Sequence, residues 1–155
     1  MISIEATNTT IALRFFETWQ TGDLELAETL LAPIFCDHNP TPGFVPDRAG
    51  TLLFMRHFRQ AFPDLTFTLE DILASGDRVV DRWTMQATHL GPFLGTHPSH
   101  KRVTFTGIDI LRIVDGQIVE SWHQENQLEG LQQIGAVSIL NTGEAPHQPG
   151  PSREN

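Results

Sequence analysis

The sequence predicts a single small α+β domain, with its helices gathered in the N-terminal part and packed over an antiparallel sheet. Two observations carry that prediction. Apolar residues recur every three or four positions in three segments before Pro63, and after it the period falls to two. A chain of 155 residues buries roughly 70% of its unfolded surface in one core, so no second domain is required. Residues 1–137 are assigned to this domain, and 138–155 to a polar tail.

From Asn8 to Gln20 the residues Ile11, Leu13, Phe15, Phe16 and Trp19 follow a run of Asn and Thr suited to capping, and the Thr21-Gly22 break ends this first helix. Asp23 is placed to cap a second helix with Leu24, Ala27, Leu30 and Leu31 on one stripe, stopped by Pro33. Between Cys36 and Gly50 the prolines at 40, 42 and 46 and Gly43 read as a stiff loop. Thr51 to Phe62 carries Leu52, Met55, Phe58 and Phe62 at helical spacing, and Pro63 stops it.

Leu65, Phe67 and Leu69 then alternate with Thr66, Thr68 and Glu70, as a half-buried strand requires. Ser75-Gly76-Asp77 turns the chain into a second strand, from Arg78 to His89, with Val79, Asp81, Trp83, Met85 and Ala87 on one face. A loop from Leu90 to Lys101 leads to a strand over Val103 to Ile113, which Asp115-Gly116 turns back along Ile118 to Glu125. The last segment, NTGEAPHQPGPSREN, is polar and without periodicity, so it is expected to be disordered.

Several function classes are disfavoured. Ten Lys and Arg against nineteen Asp and Glu give a net charge of -9, which repels phosphate backbones and anionic membrane surfaces alike. Neither a signal peptide nor a stretch of about 18 apolar residues is present, and a cytoplasmic location is expected by default. The lone Cys36 reads as structural. His89, His97, His100 and His123 show no H-x-x-x-H pairing, so no metal is expected. Gly-rich phosphate loops and G-x-S-x-G elbows are also missing, which points to chemistry without a cofactor.

The last hairpin carries the acid/base candidates. A three-residue loop over Val114-Asp115-Gly116 would pair Ile113 with Gln117, Asp109 with Ser121 and Gly107 with His123. Asp109, Leu111, Val119, Ser121, His123 and Glu125 then share one face, and Ile108, Ile110, Ile118 and Trp122 the other. Asp109 and His123 become diagonal neighbours, a pair whose proton affinities burial and mutual charge can move toward neutrality. Alternation alone leaves open which face is inside, and the bland alternative is a surface ion pair. His38 stands where a side chain can enter a pocket mouth, or brace the loop.

Five stretches together carry a resemblance: DHNPTPG from Asp37, FPDL from Phe62, GDRVVDRW from Gly76, THLGPFLG from Thr88 and GIDILRIVDGQIVESWH from Gly107 to His123. In this order they resemble the SnoaL-like polyketide cyclases, or predicted ester cyclases, of the nuclear-transport-factor-2-like superfamily. The resemblance implies a cone of curved antiparallel sheet capped by three N-terminal helices, and an outer sheet face that pairs in a homodimer. It selects the Asp109/His123 face as the interior, with Phe15, Trp19, Met55, Phe58 and Trp83 as pocket walls, and Ser121 and Glu125 beside the catalytic pair. It also implies a small hydrophobic carbonyl or ester substrate and cofactor-free aldol-type ring closure by Asp109 and His123, with neutral His123 taken as the base; His38, from its place beside the pocket mouth, is a third catalytic candidate. Pro98-Ser99-His100-Lys101 stands where relatives carry P-T-G-K, and Asn126 where many carry Asp. The alternative function is a non-catalytic module that holds an apolar metabolite in the same cone.

Overall fold

The computed structural model describes residues 3–138. The expected tail lies, from residue 139 on, outside the described residues.

Helix α1 (Ile4–Thr21) starts earlier than its apolar stripe, because Ser3 accepts a hydrogen bond from the Ala6 N–H and caps it. It ends as read, at Gly22, whose φ of 78° lets its N–H reach the Thr18 carbonyl. Asp23 caps α2 (Leu24–Leu30) through the Leu26 N–H at 2.9 Å. Here the reading from sequence fails: Leu31 does not extend that helix but opens strand β1 (Leu31–Asp37). Pro33 misled because it ends helices, yet an edge strand tolerates it equally well. Helix α3 (Arg48–Ala61) begins three residues before the expected Thr51, since Asp47 accepts from the Gly50 N–H at 2.8 Å.

Strands β2 (Thr66–Ser75), β3 (Arg78–Thr88), β4 (Arg102–Val114) and β5 (Gln117–Glu125) form the antiparallel part of a curved sheet, and a short helix α4 (Gln127–Gln133) follows. The spatial order is β1-β5-β4-β3-β2, with β1 parallel to β5. The face expected for β3 is the buried one: Val79, Met85 and Ala87 have no accessible surface, Asp81 retains 4% and Trp83 9%. Helix α4 had no clear signal, being short and polar. Its Gln133 side chain both accepts from the Thr104 N–H and donates to the Thr104 carbonyl, fixing it against β4.

The β4–β5 register differs from the expected one by one residue beside the turn and by two from Arg112 onward. Asp115 and Gly116, at φ of 50° and 80°, make a two-residue turn, so Val114 pairs with Gln117 and Ile113 with Ile118. Arg112 then pairs with Glu120, which leaves Val119 as a bulge. The extra residue re-phases the strand: Ile118 faces the core, against expectation, while Ser121, His123 and Glu125 still face the same side. A second register shift between Leu69 and Asp71 re-phases β2 in the same way, so Phe67 and Leu69 are followed by Ile72 and Ala74 on the inner side.

Two apolar clusters fill the space between helices and sheet. One gathers Ile11, Leu30, Met55 and Ile118, the other Phe58, Phe62, Met85 and Phe105, and Trp19 packs against both. Deleting Val119 would force β5 to choose between burying Ile118 and keeping His123 inside. Urea unfolding of the deletion variant is expected to lose several kcal/mol of stability, about the cost of exposing one large core side chain.

Candidate active site

Helices α1 and α3, residues 40–45 and the inner sheet face enclose a cavity with about 850 Å³ of empty space, its opening included. Its walls are aromatic: Phe15, Trp19, Phe54, Phe58, Phe67 and Trp83. Trp19 stands edge-on to Phe15, Phe54 and Phe58, and Phe67 edge-on to Trp83 at 5.4 Å. The polar groups concentrate on the sheet side, where Asp37, Asp109, Ser121, His123 and Glu125 border the space.

Backbone pairing delivers these groups. Asp109 lies directly opposite His123 on β4 and β5, and Asp37 opposite Ser121 across the parallel β1–β5 edge. The His123 Nε2 comes within 3.4 Å of both Asp37 carboxylate oxygens, and its backbone N–H donates to Asn39 Oδ1. On the other side the Trp83 indole N–H donates to Asp109 Oδ2 at 2.9 Å. A shallower polar groove, lined by Asn39, Gln124 and Gln127, meets the cavity at His123 and Glu125.

Each charge is displaced from its ordinary proton affinity. Burial pushes Asp109 up to about 6, against the opposing pull of His123 and the Trp83 hydrogen bond. For His123, burial disfavours the charged ring, but the hydrogen bond and charge of Asp37, with Glu125 and Asp109 nearby, outweigh it and raise the value. Asp37 moves down, because His123 and the Asn39 N–H together overcome its own burial. Burial raises Glu125. The result is an imidazole between carboxylates, set to give or take a proton near neutrality.

A family model described as SnoaL-like polyketide cyclase matches residues 9–134. The chain belongs to the SnoaL-like polyketide cyclase family. Solved structures agree. A Bacillus cereus protein provisionally named a polyketide cyclase is 32% identical, with a TM-score of 0.76, over 86% of this chain and 83% of its own. IdmH of Streptomyces antibioticus, also provisionally named a polyketide cyclase, is 31% identical with a TM-score of 0.72, over 83% and 98% of the two chains. TsrD of Streptomyces laurentii is 27% identical with a TM-score of 0.78, over 88% and 100%. Comparison with the curated proteins gives no match.

In this SnoaL-like chain the expected site residues Phe15, Trp19, Phe58, Trp83, Asp109, Ser121, His123 and Glu125 all border the cavity. Two others do not. Met55 is 1% exposed and packs in the core cluster beneath the helices; Phe54, one position earlier on α3, takes the wall instead. His38 turns to the outer sheet face, where it stacks on Trp122 at 4.5 Å and pairs with Glu120 at 3.1 Å. The parallel β1–β5 pairing explains this, since consecutive residues on a strand point to opposite sides and Asp37 is the inward one.

Of the Asp37-His38 pair, the structure thus turns Asp37 and not the expected His38 toward the cavity. No local signal marks Asp37 as the inward residue, because its direction follows from the pairing of β1 with β5. Among the described residues, no three His, Cys, Asp or Glu side chains converge as a metal ion needs, and no helix is long and apolar enough to cross a membrane.

The Asp37 contact makes a testable difference. Asp37→Asn removes the anion that raises His123, so the imidazole midpoint followed by NMR is expected to fall. Stability should follow with a defined sign. The pair's contribution is complete below about pH 6.5, the ordinary histidine value, and is lost as pH rises through the raised value of folded His123. In Asp37→Asn that pH dependence of thermal unfolding should flatten.

Proposed function

We propose that this chain is a cofactor-free acid/base enzyme that closes a ring by intramolecular aldol-type condensation, or a related lyase or isomerase reaction, on a small hydrophobic carbonyl or ester. Family membership supports a cyclase-type activity. The observation that carries the finer reading is the facing pair Asp109 and His123 at the polar side of an aromatic chamber.

The surrounding charges favour a division of labour opposite to the neutral-imidazole base expected from sequence. With Asp109 at about 6, that carboxyl is mainly ionised at neutral pH, and the hydrogen bond and charge of Asp37 shift His123 toward its protonated form. Asp109 then removes the acidic proton on the carbon beside the carbonyl. The resulting enolate carbon attacks the acceptor carbonyl, and His123 protonates the new alkoxide. Substrate and product are isomers, and the proton taken up by Asp109 passes back to His123, which it faces across β4 and β5. Trp83 supports the anionic form of Asp109, and Asp37 the cationic form of His123. The aromatic walls hold a folded chain with its reacting carbons close, an effect worth several kcal/mol of barrier.

Incubation of the purified protein with aromatic polyketide esters tests this reading. Turnover is expected without added cofactor, and both Asp109→Asn and His123→Ala should lower kcat by about 10²–10⁴-fold. The rate should rise as Asp109 ionises near pH 6 and fall as His123 loses its proton. Tight binding with no turnover across such esters would instead support a non-catalytic carrier.

We also propose that the outer sheet face forms a homodimer contact. Ile108, 48% exposed, stands there with Ile110 and Trp122. Sedimentation at micromolar concentration is expected to give twice the chain mass, and Ile108→Glu to restore the single chain.

A further inference from the structure

One buried acid takes no part in the mechanism above. Asp81 sits on the inner face of β3, 4% exposed, and its Oδ1 has no hydrogen-bond partner. It does not border the cavity. In the antiparallel register it lies directly across from Asp109, a position that brings side-chain β-carbons within about 5 Å.

Two carboxyl groups so placed away from water cannot both ionise at moderate pH. Their surroundings decide which one does. Asp109 has the Trp83 indole N–H on its Oδ2 and His123 opposite on β5. Asp81 has neither: its β2 register partner is Ile72, its strand neighbours on the buried face are Val79 and Trp83, and Asp109 is the charge it feels. Burial first, and that charge second, push Asp81 up to about 8.

We propose that Asp81 is a positioning residue that keeps one proton of a buried carboxyl pair, leaving Asp109 alone to carry the pair's negative charge toward His123. The inference rests on Asp109 being the site's proton-transferring carboxyl. An Asp81 anion would raise Asp109's hold on its proton and spoil it as a base. As a neutral acid, Asp81 lets Asp109 ionise in step with His123.

The Trp83 indole N–H, hydrogen-bonded to Asp109, reports the pair without any substrate, so failure here is separable from failure of the enzymatic reading. With the His123 midpoint identified separately from its own ring protons, the wild-type resonance is expected to show two further steps, one near pH 6 and one toward pH 8. Asp109→Asn should remove the lower step. Asp81→Asn, which substitutes a neutral group of the same shape, should abolish the upper step and leave the lower one in place, and Asp81→Leu should do the same.

Persistence of the upper step in either Asp81 variant overturns the proposal, as does a single step in the wild type. So does a large downward move of the lower step in Asp81→Asn, which would mean that Asp81 is already charged at neutral pH. If neither variant folds, the proposal also fails, because a residue that is neutral in the native state must accept a neutral replacement.

Discussion

Ionisable groups remain beneath an aromatic wall only if every charge has a partner, and the cross-strand pairing of Asp109 with His123 meets that condition here. The rest of the polar side is arranged around it. Asp37 reaches His123 from the parallel edge strand, Trp83 reaches Asp109 from the neighbouring strand, and Ser121 and Glu125 complete the row. Three adjacent strands and one edge strand each contribute a side chain, so the sheet's register is itself part of the site.

Register in turn depends on small irregularities. A two-residue turn at Asp115-Gly116 and one bulged residue at Val119 let β5 bury Ile118 near the turn and present His123 to the cavity farther along. At the far edge of the sheet, the shift near Glu70 lets β2 offer Phe67 to the cavity and Ile72 to the core. A strictly alternating strand would satisfy one of these demands and violate the other.

Local chemistry explains what was readable in the sequence. Caps, breaks and periods speak for themselves over short windows, which is why Gly22, Asp23 and the buried face of β3 stand where they were read. Motif resemblance supplied the inward face of β4 and β5. What the sequence hid depends on partners far away along the chain. Strand β1 exists because β5 pairs with it, and a seven-residue run holding a proline has no period that announces this. Missing β1 exchanged His38 for Asp37 and concealed the anion that tunes His123. The slip of the last hairpin arose from choosing a three-residue loop where two residues suffice, and it turned directly facing groups into apparent diagonal neighbours. Met55 was misjudged because helical spacing identifies an apolar stripe but not which part of it meets a void.

Gly107 shows how a residue outside the chamber governs its shape. A β-carbon there would collide with the six-membered part of the Trp83 indole, so the ring lies flat in space that any other amino acid would occupy. The indole in turn closes one side of the chamber and anchors Asp109. Ligand selectivity and acid strength are thus mechanically linked through one absent side chain: a relative that enlarges position 107 must resize its cavity and retune its carboxyl in the same evolutionary step.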